Sequence, residues 1–157
     1  MIDKQFLLAL LRDSRHHFLE SFAEMTEEEA RLRPAPDRFS LVEHACHLRD
    51  LEREGYLVRV RRMIAEKAPA LEGFDGQAVA RERGYLSQDA RIAAQEFAAA
   101  RREVTSLLAP LTSADLAREA TFDGRRITFG ELVAMMVEHD REHREEIEEL
   151  MDAIERR

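Results

Sequence analysis

The chain has 157 residues, 45% hydrophobic and 36% charged, with 24 Lys and Arg against 32 Asp and Glu for a formal net charge of −8. That length predicts one domain over residues 1–157, large enough to bury a core without a disulfide or a structural metal, and the composition excludes bulk disorder and a disulfide scaffold. The excess of acid argues against a nucleic-acid partner, no apolar run approaches the ~18 residues of a membrane span, and the single Cys46 fits a reducing compartment, so a cytoplasmic protein is expected.

Six Gly and four Pro interrupt a chain otherwise dominated by strong helix formers, so helices are expected throughout. The first runs over roughly residues 2–25, with Phe6, Leu7, Leu10, Leu11, Phe18 and Phe22 as its apolar stripe. Thr26 with Glu29 is a capping box for a short helix over about 27–33, and Pro34 and Pro36 mark the loop after it. Ser40 with Glu43 opens a long helix over about 41–66, whose stripe is Leu41, Ala45, Leu48, Leu51, Val58 and Met63. Pro69 marks a loop, a short helical piece is expected over about 75–84, and Ser87 is the expected N-cap of a helix over about 88–108. Its stripe is Ala93, Phe97, Ala100, Val104, Leu107 and Leu108. Pro110 marks a further loop and 113–118 a short turn of helix; Ala120 to Thr128, with Asp123-Gly124 at its centre, reads as a small hairpin or as a tight turn. Thr128 with Glu131 caps the last helix, over about 129–155. Four long amphipathic helices imply an all-α four-helix bundle, and the long link between the second and third lets that connection cross the bundle.

The last helix carries the unusual feature. Phe129, Leu132, Val133, Met136, Ile147, Leu150, Met151 and Ile154 form one apolar stripe, while Glu138, Arg141, Glu142, Glu145, Glu148 and Glu149 face away from it. His139, Asp140 and His143 lie inside the apolar stripe, where polar groups need partners. His139 and His143 stand at i and i+4, the spacing by which a helix presents two imidazoles to one metal ion; two hydrogen-bonded core histidines are the competing reading. A third ligand is expected from the second long helix, where periodicity does not choose between His44 and His47. His44 is equally well a supporting or a surface residue. Cys46 reads as a small buried residue, His16 as a surface residue and His17 as half-exposed packing.

Phe39-Ser40-Leu41-Val42-Glu43, His47-Leu48 and Glu52, followed far downstream by His139-Asp140-Arg141-Glu142-His143, resembles the DinB-like superfamily. That group includes YfiT-type proteins and relatives of mycothiol-dependent maleylpyruvate isomerase. Tyr85, Phe97, Arg101 before Leu107-Leu108, and Gly124 before Thr128 extend the resemblance over nearly the whole chain. Where the family often carries Trp ahead of the Ser that starts the second helix, this chain has Phe39.

The resemblance implies an up-down-down-up bundle and a zinc or nickel ion on His47, His139 and His143, which chooses His47 over His44. It sets Arg101 and Glu52 beside the site. Asp140, on the core stripe next to His139, is expected either to orient a ligand or to make a buried ion pair with an arginine such as Arg101. Glu52 is otherwise an ordinary surface residue. Three neutral imidazoles leave the metal charge uncompensated and coordination positions open. Such an ion acidifies a water toward a pKa of ~7 or holds a thiol as thiolate. The expected function is transfer of a low-molecular-weight thiol, such as bacillithiol or mycothiol, to an electrophile. The alternatives are a metal-dependent hydrolase, and a non-catalytic ligand-binding or structural homodimer with a vestigial site. The expected partner is a small molecule, with no nucleic acid and no membrane. No general base is identifiable.

Overall fold

The computed structural model describes residues 3–156. Helix α1 (Lys4–Ala23) starts where the Asp3 side chain accepts the Phe6 N–H at 3.2 Å; the expected start at residue 2 lies outside the described residues. The short α2 (Glu27–Ala30) follows its Thr26/Glu29 capping box. The second long rod has three parts: α3 (Leu41–Asp50), a π-helical stretch (Leu51–Tyr56) and α4 (Leu57–Ala65). A plain α-helix was expected over this span. The extra residue per turn in the π stretch buries Leu51, Glu52, Gly55 and Tyr56 together and leaves Arg53 and Glu54 exposed.

The crossover carries β1 (Ala70–Leu71), α5 (Gly76–Arg83) and a 3₁₀ turn (Tyr85–Ser87). Helix α6 (Ala90–Leu108) is capped by Asp89 rather than Ser87, because the Asp89 carboxylate accepts both the Arg91 and Ile92 N–H groups while the Ser87 hydroxyl turns back to the Gly84 carbonyl. Helix α7 (Ser113–Leu116) precedes a hairpin of β2 (Glu119–Phe122) and β3 (Arg125–Thr128). Its two turn residues, Asp123 (φ 49°) and Gly124 (φ 82°), both take positive φ, as a two-residue type I′ hairpin requires. Strand β1 pairs in parallel with β2, giving a three-stranded sheet that no run in the sequence announces. Helix α8 (Phe129–Glu155) closes the chain from the Thr128/Glu131 capping box.

Cross-helix contacts fix the directions. Lys4 reaches the Ala109 carbonyl while Phe18 packs on Phe97, so α1 and α6 run antiparallel. Asp13 pairs with Arg144 and His17 lies beside Glu148, so α1 and α8 run parallel. Cys46 meets Gln88 and Arg61 meets Glu103, so the second rod and α6 run parallel. The bundle is therefore up-down-down-up, and the connection from the second rod to α6 must return along its length. That return is tied down at Asp50, which accepts from Arg49 (2.9 Å), from the Tyr85 hydroxyl (2.5 Å) and from Arg83 (3.1 Å).

Two apolar clusters fill the interior, one around Leu8, Leu11, Met63 and Phe129, the other around Phe18, Phe22, Leu41 and Phe97. Phe6 (61% exposed) and Val58 (44% exposed) were expected in the core and stand outside it. On α1 the inward face runs through Leu7, Leu8 and Leu11, so Leu8 takes the place expected of Phe6. No described helix is long and apolar enough to cross a membrane.

Candidate metal centre

His47 projects from the second turn of α3, a helix whose start is held firmly. Arg33 donates to both oxygens of Glu43 at 2.8 Å, and the Ser40 N–H and hydroxyl donate to Glu43 Oε1 at 3.0 Å. His139 and His143 project from the middle of α8. His47, His139 and His143 each offer a ligand nitrogen, and the three nitrogens lie within 4.8 Å of one another. His143 Nε2 is 3.2 Å from His139 Nε2.

The electrostatics suit ligation. Burial, followed by the neighbouring imidazoles, lowers the His47 pKa to about 3 and pushes that of His143 well below the ordinary histidine range. Burial lowers His139 as well, although Asp140 opposes it. All three rings are therefore neutral near pH 7, with lone pairs available. Among the described residues, His47 Nδ1 is buried without a hydrogen-bond partner. Hydrogen bonding alone therefore does not account for three convergent neutral rings, whereas a divalent cation matches their number, type and spacing.

His44, whose role the sequence leaves open, is fully buried, and its Nδ1 lies 3.0 Å from His143 Nδ1. If His143 carries its proton on Nδ1, it donates to His44 and keeps the Nε2 lone pair facing His139 and His47. His44 then carries its own proton on Nε2, 3.5 Å from the Glu146 carboxylate. His44, His143 and Glu146 also meet closely enough to hold a cation, sharing His143 with the first triad. Sequence periodicity left Glu146 unassigned; its i, i+3 relation to His143 was the available signal.

Asp140, Arg101 and Glu52 form a buried cluster beneath the site. Arg101 donates to Glu52 from Nε (2.6 Å) and Nη2 (3.0 Å), to Asp140 from Nη1 (2.7 Å) and Nη2 (3.0 Å), and to the Leu11 carbonyl from Nη1 (3.2 Å). Every guanidinium hydrogen thus has an acceptor. Of the two roles open to Asp140, the structure shows the ion pair, with both oxygens turned to Arg101 rather than to an imidazole. Glu52 is buried, not a surface residue, and burial raises its pKa against the pull of Arg101.

A cleft of about 520 Å³ opens onto His47 and His143 and is walled by Phe39, Phe74, Arg38 and Glu146. Gly76, at the start of α5, also lines it. A Cβ there would stand 2.6 Å from His47 Cε1, so the imidazole occupies space that only glycine leaves free. Tyr56, delivered by the π stretch, packs edge-on to His139 with centroids 6.2 Å apart. Neither Gly76, Phe74 nor Tyr56 was signalled by the sequence. The remaining candidates lie elsewhere. His16 is exposed beside Glu20, His17 is half-buried against Phe18, and Cys46 is buried with its thiol donating to Gln88.

The DinB superfamily model matches residues 10–147, and the chain belongs to that superfamily. No curated protein matches the chain. The structure is similar to that of YfiT from Bacillus subtilis, described as a probable metal-dependent hydrolase with an unusual four-helix bundle topology. The TM-score is 0.87 at 19% identity, over 96% of this chain and 87% of the other. At that identity the likeness shows a shared fold.

Proposed function

We propose that this DinB-superfamily chain is a metal-dependent enzyme acting on a small molecule, with a zinc or nickel ion on His47, His139 and His143, and that it is a hydrolase. The observation that carries this reading is the convergence of three neutral imidazoles, two of which, His47 and His143, open onto a cleft that also presents the Glu146 carboxylate. A cation held there supplies Lewis acidity, which activates a nucleophile or polarises a substrate oxygen. His44 orients His143, and Glu146 stands at the cleft wall where it can accept a proton from an entering water. Phe39 and Phe74 give the substrate apolar walls, and Arg38 puts a positive charge at the rim. The description of YfiT agrees with this reading.

Thiol transfer to an electrophile is the second reading, favoured by the ligand set. Three imidazoles without a carboxylate leave the cation charge undiminished, which stabilises a thiolate. The thiol must come from a low-molecular-weight donor, because burial pushes the Cys46 thiol up to about 12 and Cys46 is absent from the cleft.

The test is turnover of zinc- and nickel-loaded protein on two panels: carboxylic esters and amides in water, and a thiol with a chloronitrobenzene electrophile. Hydrolysis that falls at least ten-fold in Glu146→Gln with metal content unchanged supports the first reading. Thiol consumption without hydrolysis selects the second. Bound metal with no turnover on either panel overturns both in favour of a binding protein.

A further inference from the structure

Arg59, on α4, is 5% exposed, yet it is the one deeply buried arginine without a carboxylate partner among the described residues. Arg101 and Arg49, the other two buried arginines, are both ion-paired. The Arg59 Nε donates to the Glu72 carbonyl at 3.1 Å. Its guanidinium carbon lies 5.1 Å from the Tyr56 ring centroid and 4.8 Å from that of Phe122, so two aromatic faces hold it in place. Asp123 acts on it from beyond ion-pairing distance and gives an oxygen to the Gly73 N–H instead.

Arg59 lines a cavity of about 150 Å³ that shares no lining residue with the histidine cleft. Gly55 and Gly73 contribute bare backbone to its wall, and a Cβ on Gly55 would lie 3.5 Å from Arg59 Nη2. The other charged groups lining it are Glu54, Arg62 and Glu72. Glu54 is taken by Arg83, and Arg62 by Glu66 and the Ala70 carbonyl. Glu72 meets Arg59 through its backbone carbonyl, while its exposed carboxylate acts on Arg62. One guanidinium donor meets the Tyr56 side chain and Nε meets the Glu72 carbonyl, and the remaining Nη hydrogens are matched by a planar oxyanion.

We propose that this cavity is a binding site for a small carboxylate, held by the Nη hydrogens of Arg59 against Gly55 and Gly73. The site is independent of the metal centre. Its nearest link to that centre is Tyr56, which carries Arg59 on its ring face and meets His139 edge-on. The cavity volume suits an acetate-sized head group rather than a polyphosphate.

The experiment is titration of chelator-treated protein with sodium acetate at constant ionic strength, following the amide resonances of Gly55 and Gly73. Chelation removes competing anion binding at a metal. Saturable shifts of both glycines are expected, and they should persist in a His139→Ala, His143→Ala variant. Arg59→Met should abolish them, and Gly55→Ala should weaken binding at least ten-fold, since its methyl would stand 2.8 Å from the buried Leu51 Cδ1 and 3.5 Å from Nη2, at the wall of the cavity. Arg59→Lys, which keeps the charge and loses the planar fork, should also bind at least ten-fold more weakly and keeps the test decisive should Arg59→Met or Gly55→Ala not fold. Shifts that do not saturate, or that saturate equally in Gly55→Ala, overturn the proposal.

Discussion

His44 and His143 meet through their Nδ1 atoms at 3.0 Å, across the interface between α3 and α8. One ring must donate and the other accept. The arrangement that frees His143 Nε2 toward His139 and His47 makes His44 the acceptor, with its Nε2 facing Glu146. Partners of this kind fix both the ring and the tautomer of a ligand. His44→Ala is therefore expected to weaken zinc affinity about 10–100-fold, with Glu146→Gln closer to the parent. Competition with a chromogenic chelator measures this; an unchanged affinity in His44→Ala would show that His143 is held by packing alone.

Gly76 makes a prediction of a different kind. A methyl there would stand 2.6 Å from His47 Cε1 and 2.7 Å from Nδ1. The helix itself should tolerate alanine, since alanine is the better helix former. Gly76→Ala is expected to leave the melting temperature of metal-free protein near the parent value while lowering zinc affinity, because His47 must swing away. Calorimetric melting and zinc titration of the same sample separate the two effects.

Arg101 holds two buried carboxylates, Glu52 and Asp140, from the centre of the bundle. Removing the cation strands both. Arg101→Met is expected to destabilise the fold by about 3–5 kcal/mol, the cost of breaking a buried pair from one side. Urea unfolding gives the number, and a loss under about 1 kcal/mol would contradict full burial of the charges.

The histidine cluster also sets a pH dependence for metal-free protein. Burial lowers His44 to about 4 and His47 to about 3, and lowers His143 further still. The unfolded chain, with ordinary imidazoles near 6.5, binds more protons below that pH, so stability falls as pH drops. The loss begins near pH 6.5 and continues to about pH 4 for His44, to about pH 3 for His47 and below that for His143, steepening by up to ~1.4 kcal/mol per pH unit for each such histidine. Asp50 and Glu43 are held below their usual range and weaken the fold only at lower pH. His44→Gln should flatten the slope between pH 6.5 and 5; a slope identical to the parent would place the effect elsewhere.

The elements most legible in sequence were those with a local chemical signature. The capping boxes at Thr26, Ser40 and Thr128 start helices at those residues because each side chain needs only a neighbour three positions on. The pairing of His139 with His143 was legible for the same reason, as helical spacing alone brings the rings together. The π stretch at Leu51–Tyr56 was not, because its extra residue is set by packing of Glu52 against Arg101 and of Tyr56 against His139. The two-residue β1 depends wholly on its partner β2. The choice of His47 over His44 came from resemblance, since both project to the same edge of α3. Gly76 acts on His47 across elements distant in sequence, which no single-helix pattern encodes, whereas Glu146 carried a signal in its i, i+3 spacing from His143.

Metal content decides whether His47, His139 and His143 form a centre. Elemental mass spectrometry on untagged protein, as purified and after incubation with zinc or nickel, should find about one equivalent of zinc or nickel per chain, lost in a His139→Ala, His143→Ala variant that keeps its helical circular dichroism. No bound metal in the parent under either condition, or equal metal in the variant, would contradict a centre built on His47, His139 and His143.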